Sequence, residues 1–261
     1  VLKTVFLPMV GIPKRMEKDM RVLTAIPVYN EAKSVREVLA AARRYSPEIL
    51  VVNDGSTDGT ADLLDAETGI HRIDHLENRG YGAALISAFS YALAQGYDVL
   101  VTMDCDGQHE PSRIPILLEA LAGYDIVSGS RYLRDFRQNT PAPTDRRYIN
   151  AVITQELNRR FGLQLTDAFC GFKAYRREAL ACLRITEVGW GMPLQLWVQA
   201  ARLGLRIREI AVPRIYLDPS RAFGGTLNDP EQRLAYYRAV IESAIHDPLP
   251  CSKALTTPST V

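Results

Sequence analysis

The sequence predicts an α/β fold, a Rossmann-like and mainly parallel sheet with helices on both faces. Three observations carry that prediction. From Arg21 onward, short apolar runs alternate with segments of helical length, the pattern of successive βαβ units. Polar turns follow the first, second and fourth of those runs, at Pro27–Glu31, Asn53–Asp58 and Asp104–Gln108. Right-handed crossovers bring such turns to one edge of the sheet, where open α/β sheets bind ligands. Finally, no linker or internal repeat separates the halves, so the second half reads as an addition to the same sheet.

Val22–Val28 reads as the first strand, followed by a helix over Ala32–Arg44 with Asn30 as its cap and Glu31 in the first turn. Ile49–Val52 is the second strand, closed by Asn53-Asp54-Gly55. Asp58–Ala66 is a short helix capped by Thr57 or Asp58 and ended by Gly69. Ile70–Leu76 is a weaker third strand. Tyr81–Gln95 predicts a helix of roughly 22 Å, stopped by Gly96. Val99–Met103 is the fourth strand, Pro111–Leu121 a helix with proline in its first turn, and Ile126–Ser128 the fifth strand. A loop at Leu133–Asp145 then precedes a helix near Arg147–Arg160, and a polar turn from Asp167 enters a strand toward Tyr175. A helix at Leu194–Leu203, a strand at Arg208–Tyr216, a loop at Asp218–Asn228 and a helix at Pro230–Ile245 complete the pattern. A single domain is expected over residues 21–246. Residues 1–20, where Met16 and Met20 stand just ahead of the first strand, are expected to be an extension. Residues 247–261, with their Pro, Ser and Thr, are expected to form a disordered tail.

Bulk properties exclude several classes. A net charge of +1 over 261 residues gives no overall field for nucleic acid. No apolar run reaches the length of a membrane-spanning helix. Cys105, Cys170, Cys182 and Cys251 form no CxxC pair and read as free thiols in a reducing cytosol. His71 and His75 flank an apolar run with no Glu between them and read as structural or surface residues.

The chemistry concentrates at the end of the fourth strand. Side chains at i and i+2 of an extended segment share a side, so Asp104 and Asp106 can converge on one hard cation. Carboxylate oxygens suit Mg²⁺ or Mn²⁺ held together with substrate phosphates; the plain alternative is an ordinary acidic turn. Cys105 between them should face the interior. Tyr29 and Glu31 offer an aromatic plane and a carboxylate to a nucleobase or ribose, as does Asp54 at the second strand tip. Asn78-Arg79-Gly80-Tyr81-Gly82 opens the long helix without a Walker lysine. Trp190 and Trp197 are candidates for an acceptor groove, with core packing the simpler reading of Trp197.

In this order, PVYNE, VVNDGSTDGT, NRGYGAA, MDCDGQHEP and SGSRY resemble the nucleotide-sugar domain of family 2 glycosyltransferases, which have the GT-A fold. DAFCGFKAYRRE and VPRIYLDPSRAFGG are similar to the dolichyl-phosphate mannose synthase-like and polyprenyl-phosphate glycosyltransferase branch. The resemblance spans roughly residues 21–245. It implies that Pro27, Tyr29, Glu31 and Asp54, with Asp104, hold the nucleotide, and that Asp104, Asp106 and Gln108 hold Mg²⁺ or Mn²⁺. Asp106, Arg131, Asp167 and Arg221 become the catalytic candidates, with Arg131 and Arg221 on phosphate and Asp167, Lys173 and Arg221 on the acceptor side. Asn53 stands where the family often has a second Asp, which makes Asp54 the surer nucleotide contact.

The implied reaction is metal-dependent, inverting transfer of a hexose from a GDP-mannose or UDP-glucose type donor to a polyprenyl or dolichyl phosphate. Such an acceptor is already an anion and needs positioning more than a general base; arginine, with its two-pronged donor, suits that task. The polysaccharide-forming QxxRW pattern is absent, since Glu231-Gln232-Arg233-Leu234 is followed by Ala235-Tyr236. The place of action would be the cytoplasm, at the cytosolic membrane face, peripherally or through a membrane-protein partner. Transfer to a soluble or protein acceptor, a silent nucleotide-sugar-binding module, and nucleotidyl transfer are the rivals.

Overall fold

The computed structural model describes residues 20–217 and 222–249. Its elements run β1 (Val22–Val28), α1 (Val35–Ala42), β2 (Ile49–Asp54), α2 (Thr60–Asp65), β3 (His71–His75), α3 (Tyr81–Ala94), β4 (Val99–Thr102) and α4 (Ile114–Ala120). They continue as β5 (Ile126–Ser130), α5 (Thr144–Phe161), β6 (Lys173–Arg176), α6 (Arg177–Cys182), α7 (Met192–Arg202), β7 (Ile207–Ala211) and α8 (Pro230–Ile245). The seven strands form one sheet in the order β3-β2-β1-β4-β6-β5-β7. All neighbours are parallel except β6, which runs antiparallel to both β4 and β5.

Period-two alternation divides each strand between two apolar layers. Leu23, Ala25, Leu50, Val52 and Leu100 face one layer, with Phe89 of α3, Ile153 of α5, Trp197 of α7 and Ile241 of α8. Ile26, Val28, Ile49, Val51, Val99 and Val101 face the other, with Leu39 of α1 and Leu117 of α4. Strands covered on both faces read as continuous apolar runs, which is why the first half was so legible. Among the described residues no helix is long and apolar enough to cross a membrane.

Several boundaries differ from expectation for local reasons. The first helix starts at Val35 rather than Ala32. Asn30 adopts a left-handed φ of 56° and does not cap it. Its N–H donates to Ser56 Oγ (3.0 Å) and its Oδ1 accepts from the Thr57 N–H (2.8 Å), which staples the turn after β1 to the turn after β2. Asp58 does serve the start of α2, accepting the Thr60 N–H at 3.0 Å, and also takes the Ala32 N–H at 3.0 Å. β7 ends at Ala211, short of the expected Tyr216, because Pro213 cannot donate to a ladder. Six-residue α6 carries too little periodicity to be read in advance. Asp247, expected at the start of a loose tail, is tied down: its carboxylate accepts from the Gln195 and Gln199 amides at 2.6 and 3.1 Å. The expectations for residues 1–19 and 250–261, including Cys251, lie outside the described residues.

Candidate active site

The register of β1 on β2 and β4 (Val28 opposite Asn53, Ala25 opposite Thr102) lines up the carboxyl ends of these strands. They open on a cavity of about 720 Å³, within the usual range for small-molecule sites. Pro27 of β1, Tyr29 and Glu31 after it, Asp54 of β2, Asp104, Asp106 and Gln108 after β4, and Arg131 after β5 all line it. Four separate segments of sequence thus meet in one place.

The acidic part of the wall is braced from within. Tyr81 donates its hydroxyl to Asp104 Oδ1 (3.0 Å); burial, then the Asp104 charge, push that phenol well above its ordinary pKa, so it stays a donor. The Asp104 N–H donates to Nδ1 of His109 (3.0 Å), whose ring stacks on Phe172. Gln108 donates its backbone N–H and its side-chain amide to Asp106 at 3.1 and 2.8 Å. These bonds hold Gln108 against Asp106, the residue beside which it was expected to ligate a metal. Cys105 is buried in the core beneath, as its alternation required. Gly171 completes the brace: a Cβ there would lie 2.6–2.7 Å from both Asp104 carboxylate oxygens and from the Tyr81 hydroxyl.

Among the described residues no three His, Cys, Asp or Glu side chains form a closed metal cage. Two carboxylates on an open cavity wall, one of them seated in the space a glycine leaves, do fit Mg²⁺ or Mn²⁺, which are usually held by one or two carboxylates plus substrate phosphates. Asp104 and Asp106 would hold the ion.

Asp54 is nearly fully buried, and its oxygens serve the chain itself. They accept the Arg79 and Gly80 N–H groups at 3.0 and 2.8 Å and meet His75 Nδ1 at 2.6 Å, with Ser87 on the far imidazole nitrogen. Asp54 thus shapes its side of the cavity by fixing the turn that enters α3.

Arg131 is held by Asp167 through Nε–Oδ2 (2.6 Å) and Nη2–Oδ1 (2.8 Å), and its own N–H also points to Oδ2 (3.2 Å). Asn150 and the Phe169 N–H add bonds of 2.7 and 3.1 Å to Oδ1. Burial opposes the charge on Asp167, but the adjacent Arg131 outweighs it and holds the carboxyl below its ordinary range. Asp167 is wholly buried and off the cavity wall, so the expectation that it lines an acceptor site is corrected: it sits behind that wall as the partner of the Arg131 guanidinium. Lys173 is likewise displaced from its expected place. It is 2% exposed in β6, with Nζ donating to the Cys170 carbonyl and lying 5.3 Å from the Trp197 ring centre. Burial draws its pKa down. Arg221 lies outside the described residues.

The remaining wall is aromatic and basic. Trp190 stacks on Tyr81 (5.2 Å) and meets Phe223 edge-on (5.6 Å). Arg146 and Arg233 lie 4.8 and 4.4 Å from the Phe223 ring centre. Asn150 and Tyr216 join this wall. Sequence reading passed over Arg146 and Asn150, although their i,i+4 spacing puts them on one helix face. Arg233, buried with its guanidinium on the Leu227 carbonyl and Asp145, gave no signal. Trp197 is core, with its Nε1 donating to the Ala168 carbonyl at 2.9 Å.

Comparisons with known proteins agree with this architecture. The profile described as Glycosyl transferase family 2 matches residues 24–184. The undecaprenyl-phosphate mannosyltransferase of Micrococcus luteus is 37% identical over 80% of this chain and 90% of its own. The polyprenol monophosphomannose synthase of Mycolicibacterium smegmatis is 33% identical over 77% and 79%. Among solved structures, glucosyl-3-phosphoglycerate synthase from Mycobacterium tuberculosis, crystallised with Mn²⁺ and UDP, superposes with a TM-score of 0.68 at 20% identity, covering 88% of this chain and 81% of that one. The sheet order seen here is thus that of the GT-A fold. Because the profile spans the end of β1, the tip of β2, the turn after β4 and Arg131 after β5, all of which line the cavity, this chain belongs to glycosyl transferase family 2 and is a glycosyltransferase.

Proposed function

We propose that this enzyme transfers a hexose from a nucleoside-diphosphate sugar to the phosphate of a polyprenyl phosphate, with inversion at the anomeric carbon. The observation that carries the reading is that one cavity holds both the Asp104/Asp106 pair and the Arg131/Arg146 group. An acceptor phosphate oxygen bonds to C1 while the bond from C1 to the nucleoside diphosphate breaks. The acceptor is already an anion, so the wall must orient it and offset its charge, which two arginines do. Asp104 and Asp106 would hold a divalent cation that stabilises charge on the departing diphosphate when bound. The names of the two similar transferases, both for polyprenyl-type lipids, support the acceptor class.

The test is incubation with radiolabelled GDP-mannose or UDP-glucose, Mn²⁺ and undecaprenyl phosphate. A chloroform-extractable, cation-dependent product is expected. Product confined to the aqueous phase would move the acceptor to a soluble phosphate, and no product with any common donor would overturn the reading. The donor base can be chosen first by thermal shift. A nucleotide at 100 times its Kd stabilises by about 2.7 kcal/mol, so the cognate diphosphate with Mn²⁺ should raise the Tm by several degrees and the other should not.

Gly171→Ala offers a second check. Its methyl group would push the Asp104 carboxylate and Tyr81 hydroxyl out of place. Misplacement of that order costs about 10²-fold in rate, and transfer should fall accordingly while apparent Mn²⁺ affinity weakens. Wild-type values for both would show that Asp104 need not stand where it does.

A further inference from the structure

We infer that the loop after β5, the start of α5 and residues 212–217 after β7 form one face that docks on an anionic lipid bilayer and sets the cavity mouth at headgroup depth. This rests on the polyprenyl-phosphate reading above. Three large apolar side chains stand out in water: Leu133 (44% exposed), Tyr148 (61%) and Leu217 (65%). They come from distant parts of the sequence, yet their segments are laced together. The Thr140 N–H donates to the Arg214 carbonyl (2.8 Å), and Thr140 Oγ1 accepts the Tyr216 N–H (2.7 Å). The Arg214 guanidinium lies 5.7 Å from the Tyr132 ring centre, and that of Arg146, on α5, lies 6.0 Å from Tyr216.

This face borders the cavity. Tyr216 and Arg146 line it, and a Cδ of Leu217 would be 3.0 Å from a Cβ at Gly107, between Asp106 and Gln108. Its charge has the sign that an anionic surface selects. Residues 131–148 hold five arginines against two aspartates in a chain whose net charge is only +1; Arg131 is taken up by Asp167 and Arg146 lines the cavity. Asp145 is already paired with Arg233, while Arg134, Arg137 and Arg147 are exposed. Apolar side chains that enter the headgroup boundary, ringed by arginines that meet lipid phosphates, are what interfacial binding requires. A polyprenyl chain stays in the bilayer, so its phosphate is reachable only by a protein whose mouth lies against that surface.

The test is sedimentation of the full chain with protein-free vesicles of phosphatidylcholine, with and without phosphatidylglycerol. Binding is expected to rise with the anionic lipid and fall with salt. Each exposed arginine near such a surface contributes about fivefold, so R134Q/R137Q/R147Q should bind about 100-fold more weakly. L133S/Y148S/L217S should weaken binding to both vesicle types. Both variants should keep wild-type transfer to a short-chain, water-soluble polyprenyl phosphate and lose transfer to undecaprenyl phosphate in vesicles. If either triple variant unfolds, the single substitutions replace it. Wild-type protein that uses the short acceptor but ignores anionic vesicles, or variants that bind like wild type, would overturn the docking face. Binding only to native membranes that contain proteins would point to a protein partner and overturn it too. Vesicle binding without transfer to either acceptor would instead sink the proposed function and leave the face standing.

Discussion

Asp106→Ala is expected to lower sugar transfer by about 10²–10³-fold, the usual cost of removing one group that stabilises developing charge, with the fold intact. Asp106 lies on the cavity wall, only partly buried, and takes bonds from Gln108, itself at the surface of the same cavity. No apolar layer depends on it. Asp106→Asn separates charge from shape, since the amide is nearly isosteric with the carboxylate. If the carboxylate's role is to hold a cation, Asn should fail almost as badly as Ala, and raising the Mn²⁺ concentration should recover part of the loss. Measurement of kcat against Mn²⁺ for the three proteins, beside their thermal unfolding, decides the matter. Activity within twofold of wild type for Asp106→Ala would remove the basis for a metal–diphosphate site and favour the silent binding module.

Whether a residue's role could be read in advance depended on what makes that role visible. Runs such as Ile49–Val52 and Val99–Leu100-Val101 declare themselves because both faces of a central parallel strand are buried. The turns after them are visible because ligand-facing polar residues interrupt those runs. The antiparallel insertion of β6 between β4 and β5 was less legible: four residues, Lys173–Arg176, show too little alternation. Lys173 was misplaced for the same reason. A lysine in a motif suggests an exposed cation, and only packing reveals one sunk against Trp197. Asp167 and Arg131 were both legible as chemistry. Their sequence separation of 36 residues concealed that the carboxylate of one is paired with the guanidinium of the other. Gly171 was invisible because its reason for being glycine is the space taken by Asp104, a contact made across the sheet.

Asp167→Ala is expected to be the most destabilising single substitution in the site. It would leave Arg131 charged on the cavity wall with its Nε and Nη2 unpaired, and would orphan the Asn150 amide. Removing one partner of a buried ion pair costs about 3–5 kcal/mol, which in a chain of this size lowers Tm by about 10 °C. The pH dependence gives an independent signature. The folded carboxyl titrates below its unfolded value of about 3.9. The unfolded state therefore binds the proton first as pH falls. The pair's contribution is complete above the unfolded value and is lost as pH drops through the folded one. Chemical denaturation from pH 7 down to 3 should show a steeper acid limb for wild type than for Asp167→Asn, which cannot titrate. Asp167→Asn should also keep more stability than Asp167→Ala, because its amide oxygen still accepts one bond from Arg131. A role confined to folding predicts that kcat recovers with stability in Asp167→Asn. A role in aiming Arg131 predicts a kcat still about 10²-fold down, since a guanidinium held by one bond instead of two no longer fixes the phosphate it orients. Equal acid limbs for wild type and Asp167→Asn would mean that Arg131 does not depress this carboxyl, and the positioning role would go with it.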